Sequence, residues 1–204
     1  MNLLLLTGYF LSGAAAGNLL KYCSDSTFHR ICFCVLTGFL FLLAGLRTPL
    51  GIQLFFIWLF LFCIAIEAYI DYRFMILPDE ILLILLLAGF LNQGMYFNSF
   101  WDAFSGALTG SLLIGMIYIL SKGGIGLGDV KFSAVLGLWL GISGILVCLA
   151  IAFLSGGIAS VLLFLSGKAS MQSKIPFGPF LGIGAVLSML FSFRILSWYW
   201  SLFI

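Results

Sequence analysis

Two aspartates are the residues of this chain whose type and spacing could do chemistry. Asp129 follows three alternating glycines in "GIGLGDVKF" (124–132), and Asp71 comes at the end of a long apolar run. Two carboxylates a few ångströms apart cannot both ionise easily, so they share a proton. One carboxyl group then acts as a base toward water and the other as an acid toward a carbonyl group. If the fold brings Asp71 and Asp129 together, the pair predicts acid–base hydrolysis.

The remaining five of the seven acidic residues have simpler interpretations. Glu67 lies one turn before Asp71, at a depth where a carboxyl group is functional, paired or close to the membrane interface. The others lie in connectors or first turns, where solvation or helix capping accounts for an acid. These four residues are Asp25, Asp79, Glu80 and Asp102.

The elements that must position the two aspartates are membrane helices. The composition, 63% hydrophobic and 8% charged over 204 residues, excludes a soluble domain. The apolar runs are continuous rather than alternating, which disfavours a β-barrel, and a helix of about 20 residues crosses a membrane. The sequence predicts an all-α fold, a polytopic membrane helix bundle with about eight transmembrane helices in a single domain over 1–204. The predicted spans are 3–20, 31–46, 52–70, 80–91, 103–120, 130–141, 143–165 and 180–200, with "LGISG" between the sixth and seventh.

Basic residues predict the orientation of these helices, because basic loops stay in the cytoplasm. Seven basic residues fall on one side of the predicted topology, and only Arg47 and Arg194 fall on the other. No Lys or Arg precedes the first apolar run, which favours a retained span over a signal peptide. We therefore expect the N-terminus outside and both Asp71 and Asp129 at the cytoplasmic side, since two crossings separate them. The seven residues are Lys21, Arg30, Arg73, Lys122, Lys131, Lys168 and Lys174.

The residues around Asp129 suggest how a peptide could approach it. Gly126 and Gly128 allow positive φ and a close backbone approach, so an extended peptide could pass beside the carboxylate. The alternative is that these glycines only mark a turn. Lys131 is either an interfacial anchor or a charge that holds Asp129 ionised or meets an acidic group on a substrate.

Neither a metal site nor a cofactor is expected. The five cysteines show no C-x-x-C spacing, which favours free thiols, and His29 has no ligand partners at metal spacing. The net charge of +2 and the absence of a basic face give no indication of nucleic-acid binding.

Several stretches resemble the type IV prepilin peptidases, intramembrane aspartic proteases of the GxGD class. "AYIDYRFMILPDEI" (68–81) and "GIGLGDVKF" are similar to the stretches that carry the two catalytic aspartates of that family. "IPFGPFLGIG" (175–184) resembles its Pro-Phe-Gly-Pro segment, and "GYFLSGAAAGNLL" matches its Gly-rich first helix more loosely. By this resemblance Asp71 and Asp129 are the catalytic pair, and Pro176, Gly178 and Pro179 join the substrate-binding residues.

The resemblance also implies a substrate and a location. The substrate would be a pilin-like precursor with a short basic leader and a hydrophobic helix, supplied by a type IV pilus or type II secretion system. Cleavage would occur at the cytoplasmic face of the bacterial inner membrane. Membrane lipid would be a further partner of the protein. Larger members also carry a zinc-binding cytoplasmic domain with two C-x-x-C pairs, and they methylate the new N-terminus. Here that connector is the ten-residue "KYCSDSTFHR", which puts methylation in doubt but leaves proteolysis untouched.

Four alternatives stay open at this point. A bifunctional peptidase and N-methyltransferase would act despite the missing zinc module. The presenilin and signal-peptide-peptidase branch also uses a Gly-x-Gly-Asp aspartate, but its Pro-Ala-Leu segment is missing. A small transporter could use the same acids as a proton or cation relay, although such acids are expected nearer the midplane. A purely structural membrane subunit would leave the acid pair unexplained.

The orientation gives a first prediction. Cysteines introduced at Ser121 and Ser173 should be labelled by an impermeant thiol reagent only from the cytoplasmic side, because both lie in connectors on the basic side. A cysteine at Asn98 should be labelled only from outside. Labelling of Asn98 from the cytoplasm would contradict the charge-bias argument.

Overall fold

The chain folds entirely into helices over the part that can be described. A computed structural model describes residues 3–18, 27–96, 100–121, 124–167 and 174–201. Seven helices lie in these ranges: α1 (Leu3–Gly17), α2 (Thr27–Arg47), α3 (Ile52–Phe74), α4 (Asp79–Tyr96), α5 (Phe100–Leu120), α6 (Leu127–Leu165) and α7 (Gly178–Ser201). The predicted all-α class is confirmed. Residues of the sequence analysis outside the described ranges are Lys21, Cys23, Asp25, Asn98, Lys122, Lys168 and Ser173.

The helices have the length and surface of membrane spans. Among the described residues, five helices are long and apolar enough to cross a membrane, namely α2, α3, α5, α6 and α7. Large apolar side chains such as Trp101, Ile119 and Phe193 face outward, where lipid rather than water would cover them. The chain is therefore a multi-pass membrane protein. The described ranges contain seven helices and not the predicted eight, because the sixth and seventh predicted spans both lie in α6.

Helix α6 is interrupted inside the predicted break "LGISG". Gly141 has φ 70° and ψ −179°, which is not a helical conformation. A Cβ atom at Gly110 would meet both the Ser133 carbonyl oxygen at 2.5 Å and Ile145 Cγ1 at 3.1 Å. These two residues would lie about 18 Å apart along a straight helix. The two halves of α6, 127–140 and 142–165, therefore fold back toward each other at Gly141.

Asp102 supports this kink: it is exposed, as predicted, but it lies in a helix rather than in a connector. It lies in the first turn of α5, and its Oδ1 accepts the N–H of Ile142 at 3.2 Å. The second half of α6 starts there, and the first N–H groups of a helix have no partner within it. Asp102 thus acts as a cap supplied by another helix.

The chain divides into two compact units, Met1–Ile66 and Glu67–Ile204. In the first, α1 packs against α2 so closely that a Cβ at Gly13 would lie 2.8 Å from the Cα atom of Gly38. The Thr37 hydroxyl donates to the Gly13 carbonyl at 2.8 Å across this contact. Small residues let membrane helices approach in this way, and polar side chains then bond across the interface.

The second unit contains the end of α3 and the helices α4 to α7. Gly106 of α5 and Gly137 of α6 pack backbone against backbone, and Gly184 of α7 packs against the Cys148 carbonyl of α6. Gln93 of α4 donates to the Leu138 carbonyl of α6 at 3.0 Å. Helix α6 is therefore the element against which α4, α5 and α7 are positioned.

The kink gives a second prediction. Gly141→Ala should lower the unfolding temperature in detergent, because a backbone at φ 70° and ψ −179° costs a residue with a side chain about 1–3 kcal/mol and the new Cβ would collide with the Asp102 carboxylate. Gly157→Ala in the same helix is the matched control, since a Cβ there meets nothing within 4 Å. Equal unfolding temperatures for the two variants would contradict the role assigned to Gly141.

Candidate active site

Asp129 lies in the first turn of α6 and is held by the backbone that begins the helix. Gly126 is the N-cap residue, and its N–H donates to Asp129 Oδ2 at 3.0 Å. This is one half of a capping box, the half in which the third helical residue reaches back to the N-cap. The Asp129 side chain is buried, and its Oδ1 has no hydrogen-bond partner in the described part of the chain. One oxygen fixes the carboxyl group, and the other is left for chemistry.

Asp71 is held in a similar way by a different helix. It lies in the last turn of α3, with 6% of its surface exposed. Its Oδ2 accepts the N–H of Gly178 at 2.8 Å, and Gly178 is the first residue of α7. The N–H groups at a helix N-terminus have no partner within the helix, and the helix dipole there favours an anion. The start of α7 therefore donates a hydrogen bond that binds the Asp71 carboxylate.

The structure brings the two predicted aspartates together. Their charges are close enough to interact, although 57 residues and the helices α4 and α5 separate them along the chain. The place where they meet is called the site end below: the last turns of α3 and the first turns of α4, α6 and α7. Two interacting carboxyl groups, each anchored through one oxygen, are the groups that acid–base hydrolysis requires.

Gly178 has a function that sequence reasoning missed. The resemblance placed it among the substrate-binding residues, but here it donates to Asp71. A Cβ at Gly178 would lie 2.7 Å from Asp71 Oδ2 and 3.0 Å from its Cγ, so only glycine permits this approach. Pro179 follows in the first turn, where a missing N–H costs nothing. Pro176 lies before the helix, half-buried, in the wall of a pocket.

The predicted reason for Gly126 and Gly128 is wrong in one respect, since neither has positive φ. Gly126 has φ −83°, the extended conformation usual for an N-cap. Gly128 packs against Leu77, whose Cβ and Cδ1 would lie 3.2 Å from an added Cβ. The space that these glycines leave is therefore used by the fold itself, and a role in binding substrate stays a prediction.

The positive φ at the site end belongs to Met75 instead. It has φ 54°, and its N–H donates to the Asp71 carbonyl at 2.8 Å. This is the left-handed motif that ends helices, in a position that glycine usually occupies. Nothing in the sequence predicts this turn, because methionine has no preference for the left-handed conformation. The turn stops α3 four residues after Asp71 and so leaves the carboxyl group at the helix end.

Lys131 pairs with Asp79 rather than with Asp129. Its Nζ lies 2.8 and 2.9 Å from the two carboxylate oxygens of Asp79, in the first turn of α4. Both side chains are exposed, so the pair stabilises the fold by less than about 1 kcal/mol. The predicted alternative in which Lys131 holds Asp129 ionised is not the arrangement seen here. The pair instead links the first turns of α4 and α6.

Glu67 is a third carboxyl group near the pair. It is fully buried, and neither of its oxygens has a hydrogen-bond partner within the described ranges. Its charge interacts with that of Asp71, one turn further along α3, and with those of Asp79 and Glu80. Buried polar groups are almost always hydrogen-bonded, so this exception calls for a functional test.

Comparison with known proteins identifies the family. The profile of the type IV leader peptidase family matches residues 54–161, which is more than half of the chain and includes Asp71 and Asp129. The chain belongs to the type IV leader peptidase family. It is therefore a protease by family, and the resemblance predicted from its motifs is confirmed.

The relatives carry two activities in their names. The chain is 30% identical over 179 residues to the prepilin leader peptidase/N-methyltransferase of Bacillus subtilis (strain 168), covering 84% of this chain and 71% of that protein. It is 36% identical over 137 residues to the protein of the same name from Aeromonas hydrophila, covering 64% of this chain and 47% of the relative. It is 34% identical over 162 residues to the protein of the same name from Pectobacterium carotovorum subsp. carotovorum, covering 76% of this chain and 58% of the relative. No solved structure matches the chain significantly.

Metal ligands are not clustered in the part of the chain that the structure describes, where no group of three His, Cys, Asp or Glu side chains could hold an ion. Cys32 and Cys34 are free thiols on α2, the helix that also contains His29.

The Gly178 contact gives a third prediction. Gly178→Ala should lower proteolytic activity roughly 10²-fold, because the new Cβ displaces the Asp71 carboxylate and small misplacements of a reacting group have effects of that size. Gly115→Ala is the matched control, since its added Cβ would meet Val130 Cγ1 at an ordinary 3.7 Å. Both variants should unfold near the wild-type temperature. Full activity in Gly178→Ala would show that Asp71 does not depend on this contact.

Proposed function

We propose that this chain is a prepilin peptidase that removes the short basic leader from pilin-like precursors at the cytoplasmic face of the bacterial inner membrane. The observation that carries the proposal is the pairing of two buried aspartates whose positions are each fixed by a glycine N–H. Asp71 and Asp129 lie in the two stretches that resemble the catalytic stretches of the family, and Gly126 and Gly178 lie in the motifs beside them.

The mechanism follows from two carboxyl groups that share one proton. The ionised aspartate takes a proton from water as the water oxygen bonds to the scissile carbonyl carbon, and the protonated aspartate gives its proton to the carbonyl oxygen. The tetrahedral intermediate collapses when the C–N bond breaks and the proton taken from water passes to the leaving nitrogen. The proton lent to the carbonyl oxygen returns to its aspartate, so both groups end as they began.

Charges at the site end support the cytoplasmic location. Lys131 and Arg73 are exposed beside the aspartates, and Lys174 is exposed four residues before Gly178. Basic residues of this kind are retained on the cytoplasmic side. A leader cleaved there need not enter the membrane, because only the hydrophobic helix of the precursor lies in lipid.

The proposal covers cleavage and not methylation. The relatives are named for both activities, and this chain spans 47–71% of the relatives compared above. The chain would act over 1–204 as one peptidase domain, with pilin-like precursors and membrane lipid as its partners and without nucleic acid. A proton or cation relay is less favoured, because the two aspartates lie at helix ends rather than at mid-span.

The acid pair gives a fourth prediction. Asp71→Asn and Asp129→Asn should each reduce cleavage of a pilin-like precursor by a factor on the order of 10²–10⁴, because each removes one partner of the acid–base pair. Cleavage is measured as the mobility shift of the precursor after incubation with purified enzyme. Insertion and unfolding temperature should stay near those of the wild type. A variant that processes the precursor at a near-normal rate would remove its aspartate from the catalytic role.

Glu67→Gln is the comparison variant, since it keeps the shape of a buried carboxyl group one turn from Asp71. We expect a milder loss than for either aspartate. An equal loss would identify Glu67 as a member of the acid–base pair in place of Asp71.

A further inference from the structure

A groove of about 330 Å³ lies between α1 and α2, within the first of the two compact units. It is called the α1–α2 groove below, and neither Asp71 nor Asp129 lines it. Ligand pockets range from roughly 300 to 1,000 Å³, so the groove has room for part of a ligand. The lining residues used below are Phe10, Ala14, Asn18, Thr27, Arg30 and Val35.

The two helices run antiparallel, which gives the groove a polar end and an apolar end. A Cβ at Gly45 would collide with the Tyr9 ring, and a Cβ at Gly17 would lie 2.8 Å from the Cα atom of Cys34. The end of α1 therefore lies beside the start of α2. The eight residues from Asn18 back to Phe10 span about 12 Å of helix. The polar end consists of Asn18, Thr27 and Arg30, and the apolar end includes Phe10, Ala14 and Val35.

Arg30 is the residue of the groove that lacks a sufficient partner. Its Nε atom is buried and has no hydrogen-bond partner among the described residues. Its Nη2 atom donates to the Thr27 hydroxyl at 3.3 Å, and no carboxylate pairs with Arg30 in the part of the chain that the structure describes. A guanidinium group is always charged, and a buried donor without an acceptor is costly. An anion in the groove would supply the missing acceptor.

The donors at the polar end match a phosphate group. The Nε–H and a neighbouring Nη–H of arginine form a planar fork that binds two phosphate oxygens. Thr27 is the first residue of α2, and the N-terminus of a helix favours an anion. The Asn18 side chain carries an amide that can also donate. A phosphate at this end would therefore meet both charge and hydrogen-bond donors.

The apolar end identifies the phosphate as part of a lipid. A small phosphate compound would leave the surfaces of Phe10, Ala14 and Val35 uncovered, whereas an acyl chain attached to the phosphate would cover them. Helix α2 is long and apolar enough to cross a membrane, so lipid surrounds this unit. Basic pockets between membrane helices are known to bind the headgroups of anionic lipids.

We propose that the α1–α2 groove binds one anionic phospholipid, with its phosphate on Arg30 and an acyl chain along Phe10, Ala14 and Val35. The inference goes beyond the proposed function and does not rest on it, because it requires only that the chain lies in a membrane. The ligand is an anionic glycerophospholipid rather than any lipid, because the charge of Arg30 selects it.

The test measures lipid binding to the purified full-length protein in a nonionic detergent. Native mass spectrometry counts the bound lipids and gives their dissociation constants. The wild type should bind one phosphatidylglycerol about tenfold more tightly than phosphatidylcholine, whose choline cation offsets the charge of the phosphate. It should bind glycerol 3-phosphate, which has the phosphate without acyl chains, more weakly than phosphatidylglycerol.

Substitutions at the polar end test the assigned contact. Arg30→Gln should weaken phosphatidylglycerol binding about tenfold or more, because it removes charge-assisted hydrogen bonds. Arg30→Lys should have an intermediate affinity, since it keeps the charge but loses the fork. Arg47→Gln is the matched control, because it removes the same charge from the last residue of α2. It should bind as the wild type does.

A second variant covers the case in which Arg30→Gln does not fold. Ala14→Phe fills the apolar end and leaves Arg30 in place, so it should also weaken phosphatidylglycerol binding. Gly8→Phe is its control on the same helix, at a glycine outside the groove where a Cβ would meet nothing within 4 Å. It should keep the wild-type affinity.

Three outcomes would overturn the proposal. Equal affinities for the two phospholipids, unchanged in Arg30→Gln or in Ala14→Phe, would show that the groove selects no lipid. Glycerol 3-phosphate bound as tightly as phosphatidylglycerol would make the ligand a small phosphate compound. The third outcome concerns Asp25, the only acidic residue in 1–66, which lies outside the described ranges. Phosphatidylglycerol binding that appears only in Asp25→Asn would identify that carboxylate as the partner of Arg30.

Discussion

The candidate site depends on two hydrogen bonds from backbone N–H groups to carboxylate oxygens. Gly126 at the start of α6 binds Asp129, and Gly178 at the start of α7 binds Asp71. Helix N-termini supply such donors because their first N–H groups lack partners within the helix. In a membrane protein with few charges, these backbone donors bind the two buried carboxyl groups directly. They also tie the geometry of the site to the positions of two helices.

Those positions are in turn fixed by small residues. Between lipid-embedded helices there is no hydrophobic driving force, so close packing and interhelical hydrogen bonds must hold them together. Gly106 against Gly137 and Gly184 against Cys148 bring α5 and α7 onto α6 at backbone distance. The fold-back of α6 at Gly141 lets its two halves serve different neighbours. Packing far from the aspartates therefore decides whether the first turns of α6 and α7 reach them.

The few acidic residues of the chain are concentrated at the site end. Of seven in the sequence, Asp71 and Asp129 form the pair, and Glu67, Asp79 and Glu80 have charges that interact with one another or with the pair. Lys131 compensates Asp79 at the edge, where water weakens the interaction. Glu67 is buried, and its carboxyl oxygens have no hydrogen-bond partner in the described ranges.

The sequence by itself determined the class of the protein and its two candidate catalytic residues. Continuous apolar runs predict helices because a membrane leaves backbone groups no partner but the helix itself. Asp71 and Asp129 stand out because carboxyl groups are costly in such a chain, and the boundary between two predicted spans lies in "LGISG". Only the tertiary structure decided what holds each carboxyl group. Gly178 lies 107 residues from Asp71, and no local pattern encodes a contact between the end of one helix and the start of another. The left-handed Met75, the pairing of Lys131 with Asp79 and the cap that Asp102 supplies to α6 were hidden for the same reason. Each is set by packing between helices, while sequence periodicity reports only on each helix alone.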